Sequence, residues 1–140
     1  MVDGLLLIFL LAILIVGVMV FAIVSLTKHA GKNLNKEKYQ SRWLTIENSL
    51  KKNEPTSYQM SVLAADKLLD HALKERGFRG KTMGERMKAA NSEFKNANHV
   101  WSAHKIRNKI AHEPDAKVSY DLATRSLQAF KQALKDVRAI

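Results

Sequence analysis

Between Trp101 and Pro114 the chain reads WSAHKIRNKIAHEP and gathers side chains able to bind an anion or move a proton: His104, Lys105, Arg107, Asn108, Lys109 and His112. An imidazole of ordinary pKa, about 6.5, holds or gives a proton near neutrality, and a guanidinium can grip an oxyanion with two parallel hydrogen bonds. Spacing limits what they can do together. Five residues of ideal helix turn through about 500°, which leaves Arg107 and His112 some 140° off a common face. They converge only if His112 sits on a frayed last turn, which Pro114 would favour. His104, three residues before Arg107, is a neighbour on its face. Quieter explanations exist for both ends of the pattern. A histidine is favourable at the negative end of a helix dipole, and Arg107 can pair with a carboxylate such as Asp66 or Asp70.

Other chemistries lack support. The chain has no cysteine, so disulfides and thiolate metal sites are excluded, in keeping with a reducing compartment. His99 and His104 have no carboxylate to complete a ligand set, so no metal and no cofactor are expected. His29 and His71 read as solvated or half-buried positions. H-E-x-x-H, P-loop, G-x-G-x-x-G and G-x-S-x-G patterns are all missing, which removes the usual signals for zincins, nucleotide triphosphates, dinucleotides and serine hydrolases. Trp43, Trp101, Tyr58 and Tyr120 could stack on bases, but aromatics on amphipathic helices are more often core residues.

Arg107, Asn108 and His112, as R-N-x-x-A-H directly before a proline, resemble the hallmark of the HEPN superfamily: an Arg, a polar residue, and a His after four to six intervening positions near the end of a bundle helix. The resemblance extends over residues 36–140 in helical layout, and its specificity rests on that motif. It implies cleavage of RNA without metal in those members that cut RNA, with a dimer bringing two motifs into one cleft. By this resemblance His112 would be general acid or base when a ribose 2′-hydroxyl attacks the neighbouring phosphorus. Arg107 would stabilise the phosphorane-like transition state and Asn108 would orient one of them, with Lys105, Lys109 and His104 on the substrate. The alternative is a non-catalytic scaffold that dimerises or recruits a protein partner. Antitoxin-like relatives carry a Tyr two positions after the His. Here Pro114 stands in that place, so a modifiable tyrosine is ruled out and a partner nucleotidyltransferase is not expected.

Four longer amphipathic helices and one short insert must position these residues, and they predict an all-α, antiparallel four-to-five-helix bundle over residues 36–140. The first runs from Lys36 to Lys52 on the stripe Tyr39, Trp43, Ile46 and Leu50. Asn53-Glu54-Pro55 breaks it, and Thr56 or Ser57 caps a second helix to Arg76. That helix carries Met60, Leu63, Ala64, Leu68, Ala72 and Leu73, with Val62, Ala65 and Leu69 widening the face, and Gly77 closes it. Thr82 and Glu85 have capping-box spacing for a short helix to Ser92. The motif helix spans Asn96 to Ala111, and Ser119 caps a last helix bearing Leu122, Leu127, Phe130, Leu134 and Val137. So small a bundle has modest apolar burial, which favours a homodimer.

Ahead of the bundle, Gly4 to Thr27 contains twenty-four residues without a charge, about 36 Å of helix and enough to cross a bilayer. The apolar run is too long for a cleaved signal, and its only early charge is Asp3. Residues 1–27 therefore read as a single-pass transmembrane anchor and 28–35 as a basic juxtamembrane linker. All 23 Lys and Arg lie beyond the anchor against 12 of the 13 acidic residues, a formal +11 for residues 28–140. Charge of that kind next to a span stays on the cytoplasmic side, so the N-terminus should face out and the bundle in. The excess also favours a polyanionic partner, either nucleic-acid phosphates or the head groups of the lipid bilayer.

Overall fold

In a computed structural model the described residues are 2–27 and 31–140. The linker residues Lys28 and His29 lie outside them. The chain divides into two compact units, residues 1–31 and 32–140. The first is a single helix, α1 (Val2–Thr27), in which Asp3–Ser25 is long and apolar enough to cross a membrane and none of the apolar window is buried. Leu, Ile, Val and Phe are exposed all round it.

The second unit is all-helical: α2 (Lys36–Ser49), α3 (Pro55–Glu75), α4 (Met83–Ala89), a single 3₁₀ turn (Asn91–Glu93), α5 (Ala97–His112) and α6 (Tyr120–Asp136). Helix α3, the longest of these, packs against each of the other four. Polar bonds fix the sense of packing. The Tyr39 hydroxyl donates to Glu75 at one end of α2–α3 while Ser49 meets Ser61 at the other, so the two helices run in opposite directions. Gln59 donates to the Ala116 carbonyl and Asp66 meets Arg107, so α5 also runs against α3. Lys131 of α6 donates to Glu47 of α2 at 2.7 Å, and this bond, more than any other influence, holds the Glu47 carboxyl below its ordinary range.

Local chemistry explains most boundaries. Asn35 caps α2 by accepting from the Lys38 N–H, and the buried pair Leu34 and Tyr39 occupies the positions of a hydrophobic staple. Helix α2 ends at Ser49, a turn earlier than the apolar stripe suggests, because Leu50 is already extended. Pro55 opens α3 rather than merely preceding it. It sits at the first helical position, where the missing N–H costs nothing, and Glu54 stands at the cap without a side-chain capping bond, its carboxylate facing Lys51 instead. Ser57, expected as a cap, instead accepts from the Lys51 N–H and ties down the link before α3. Met60, expected in the core, is 61% exposed, and the buried face is carried by Val62, Ala65, Leu69 and Leu73. Gly77, at φ 92°, takes the left-handed position after α3, with Gly77 N–H bonded to Lys74 and Phe78 N–H to Leu73 in a Schellman motif. Thr82 caps α4, but Glu85 reaches back to the Lys81 N–H, one residue earlier than a capping box requires. Helix α4 stops at Ala89, and the 3₁₀ turn takes the place of its expected last residues.

Two features of this frame have measurable consequences. A Cβ on Gly80 would stand 2.7 Å from the Arg86 backbone nitrogen, too close for any side chain. Gly80→Ala must therefore push α4 away and is expected to cost about 1–3 kcal/mol in a urea titration, as over-packed sites do. The second concerns Tyr39, whose phenol is driven far above its ordinary range by burial first and then by its bond to Glu75. Stability should stay level below about pH 10, where an unfolded tyrosine begins to ionise, and fall as the pH rises beyond it, because only the unfolded phenol gives up its proton. Urea midpoints at stepped alkaline pH should show that limb flattened in Tyr39→Phe.

Candidate functional site

Asp66 is an acidic residue on the apolar face of α3, one turn from Val62 and beside Ala65 and Leu69, and it is only 2% exposed. A carboxylate placed there must find hydrogen-bond donors, since an unpaired buried charge is expensive. It finds two, both on α5. Asp66 Oδ1 lies 2.7 Å from His104 Nδ1, and Asp66 Oδ2 lies 3.2 Å from Arg107 Nε. An ionised carboxylate only accepts, so Nδ1 carries the proton and Nε2 is the ring nitrogen left for a ligand. The three-residue spacing of His104 and Arg107 on α5 is what lets one carboxylate hold both.

Arg107 also donates from Nη1 to Asn108 Oδ1 at 3.0 Å. Its side chain remains about a third exposed (36%), so part of the guanidinium is still available beyond these bonds. The Trp101 ring meets His104 edge-on at 6.1 Å, and its indole N–H donates to Asn91. These groups open onto a groove of about 480 Å³ between α4 and α5, lined by Lys88, Trp101, His104, Lys105, Arg107 and Asn108 among others. The α4 wall is fixed by Arg86, which donates from Nε and Nη2 to the two oxygens of Asp70 at 2.7 and 3.0 Å and from Nη1 to the Gly80 carbonyl. The bond to Asp70 is the main reason the Arg86 guanidinium is held even more firmly protonated than usual.

Asp70 is therefore spoken for by Arg86, and Asp66 is the carboxylate that takes Arg107. The groove brings together His104, Lys105, Arg107 and Asn108. Lys109 and His112 are exposed and do not line it. The last turn of α5 does not fray: the Glu113 N–H bonds the Lys109 carbonyl at 2.9 Å, an α-type bond that keeps His112 on the regular helix. Within one chain Arg107 and His112 thus remain about 140° apart around α5. Of the aromatics, Trp43 and Tyr58 are buried in the core, and Trp101 is the one that borders the groove. Motif spacing does not single out the Asp66–His104 contact. The available signal is a lone carboxylate inside an otherwise apolar helical stripe.

No known family, curated protein or solved structure matches the chain.

A second, larger groove of about 550 Å³ separates α5 from α6. Val100, Ala103, Ile106, Leu122 and Ala129 make its floor, and His99, Arg125, Gln132 and Asp136 are among the residues at its rim.

Proposed function

We propose that the chain is a membrane-anchored, HEPN-like domain that binds RNA in the α4–α5 groove and cleaves it without metal. The supporting observation is Asp66, the single buried carboxylate among the described residues, which holds both His104 and Arg107 at the groove wall. A buried acceptor that fixes one imidazole nitrogen leaves the other oriented for proton transfer, which is how a histidine becomes an efficient general base. Arg107 supplies charge for the phosphorus oxygens, Lys88 and Lys105 supply charge for neighbouring phosphates, and Trp101 offers an edge of aromatic surface for a base. In this scheme His104 takes the proton of a ribose 2′-hydroxyl, whose oxygen attacks the adjacent phosphorus. The 5′-oxygen leaves with a proton taken from water, His104 gives up the proton it took to solvent, and a 2′,3′-cyclic phosphate remains. His112, which the family resemblance favours for proton transfer, would join only from a second copy in a dimer.

The anchor reading has α1 in the bilayer with its N-terminus outside and the bundle in the cytoplasm, as the Lys-rich sequence that follows Thr27 favours. Protease added to oriented vesicles should leave the bundle intact until they are opened.

Detergent-solubilised full chain, incubated with single-stranded RNA in chelator, tests the whole. Expected are cyclic-phosphate ends and salt-dependent binding. Lys88→Ala with Lys105→Ala should flatten the log–log salt slope by about 0.7 for each phosphate that is no longer neutralised. Uncut RNA together with an unaltered slope would retire both activities. A protein-recruiting scaffold remains the second reading, favoured by the apolar floor of the α5–α6 groove.

A further inference from the structure

We propose that the cleft between α2 and α3, bordered by Lys38, Arg42, His71 and Lys74, seats the anionic head group of a phospholipid in the membrane that holds α1. This rests on the anchored reading above but not on the RNA groove, which lies on α4 and α5.

Lys38 and Arg42 are one turn apart on α2, and His71 and Lys74 are three apart on α3, so the opposed helices aim both pairs into a single cleft of about 380 Å³. Among the described residues Lys38, Arg42 and Lys74 form no ion pair, whereas Arg86, Arg107 and Lys131 each meet a carboxylate. The one carboxylate of the cleft, Glu75, is already engaged by the Tyr39 hydroxyl at 2.7 Å. Three cations against one carboxylate leave the cleft with a net positive charge, which draws an anion from outside.

Two observations choose the lipid. Lys38 follows the end of α1 at Thr27 by eleven residues, and at no more than about 3.6 Å per residue the chain cannot carry it beyond about 40 Å from the span. The cleft also offers little of what single-stranded RNA needs, since Tyr39 is 2% exposed and the small ring of His71 is the one aromatic surface it presents to a base. A phosphate with a small polar group needs only the charge.

The test uses the full chain in nanodiscs of phosphatidylcholine, with or without a minority of phosphatidylglycerol, and reads acetylation of individual lysines by mass spectrometry. Phosphatidylglycerol should slow acetylation of Lys38 and Lys74 about fivefold, the factor that roughly 1 kcal/mol per basic residue at an anionic surface gives, and leave Lys105 and Lys109 unchanged. Arg42→Ala should return Lys38 and Lys74 towards their rates in phosphatidylcholine. Equal slowing at all four lysines, no slowing at all, or protection that survives Arg42→Ala overturns the site. Inorganic phosphate or single-stranded RNA added to phosphatidylcholine discs should protect neither lysine. Protection by either would reassign the cleft to a free anion or to RNA and overturn the lipid. A chain that does not enter the discs would instead refute the anchor, and the head-group site with it, while RNA cleavage in detergent is scored separately.

Discussion

Asp66→Ala is expected to lower the unfolding free energy of the bundle by about 3 kcal/mol, at or above the upper end of what Gly80→Ala should cost. Removing one partner of a buried ionic cluster leaves the others desolvated and unpaired, and such losses run to about 3–5 kcal/mol. The lower end applies because the Arg107 side chain, 36% exposed, can turn to water, whereas the His104 side chain, 9% exposed, cannot. For a slope of about 1–2 kcal/mol per molar urea, the midpoint should fall by roughly 2 M. Helical circular dichroism of the full chain in detergent is a suitable readout. Asp66→Asn keeps the shape and one acceptor, so it should cost less yet still weaken RNA binding, because its amide cannot satisfy both donors. A midpoint unmoved by Asp66→Ala would mean that the carboxylate does not hold α3 to α5.

The second large effect separates the two histidines of α5. His104→Gln is expected to reduce RNA cleavage by about 10²–10⁴, the usual contribution of a positioned acid–base group, while leaving RNA bound. His112→Gln should spare most of the rate, since His112 lies outside the groove that holds Arg107. The opposite outcome would be equally instructive. Cleavage abolished with His112, intact without His104, and rising steeply with protein concentration would place the reaction in a cleft shared by two copies and end the role given to Asp66–His104. Single-turnover rates at several protein concentrations, in chelator, distinguish these cases.

Features governed by neighbouring residues are legible in the amino-acid sequence itself. Ser119, Thr82 and Gly77 sit where short-range hydrogen bonding and a positive φ demand them, and Pro114 halts α5 one residue after its cap. The apolar run of α1 follows from composition alone. What stays hidden depends on residues far apart in the chain. Glu54-Pro55 reads equally well as a break or as the opening of a helix, and in the fold it is both, closing the link after α2 and standing at the first position of α3. Met60 fits the apolar stripe by spacing, yet the face that α3 buries runs through Val62, Ala65, Leu69 and Leu73 and leaves it 61% exposed. Asp66 and His104 are 38 positions apart, and neither one's spacing to its own neighbours announces the other. Arg107 is visible as part of a motif, but which carboxylate claims it is settled only when Arg86 occupies Asp70.

Helix α3 carries three carboxylates, at Asp66, Asp70 and Glu75, and each clasps a different helix: α5 through His104 and Arg107, α4 through Arg86, and α2 through Tyr39. It behaves as a keel to which three of the four ribs are pegged one by one, while α6 packs on it without a peg. Pulling any peg loosens one rib, but freeing α3 itself requires all of them to let go, so its central amides should be the last in the domain to trade hydrogen for deuterium, on the timescale of global opening.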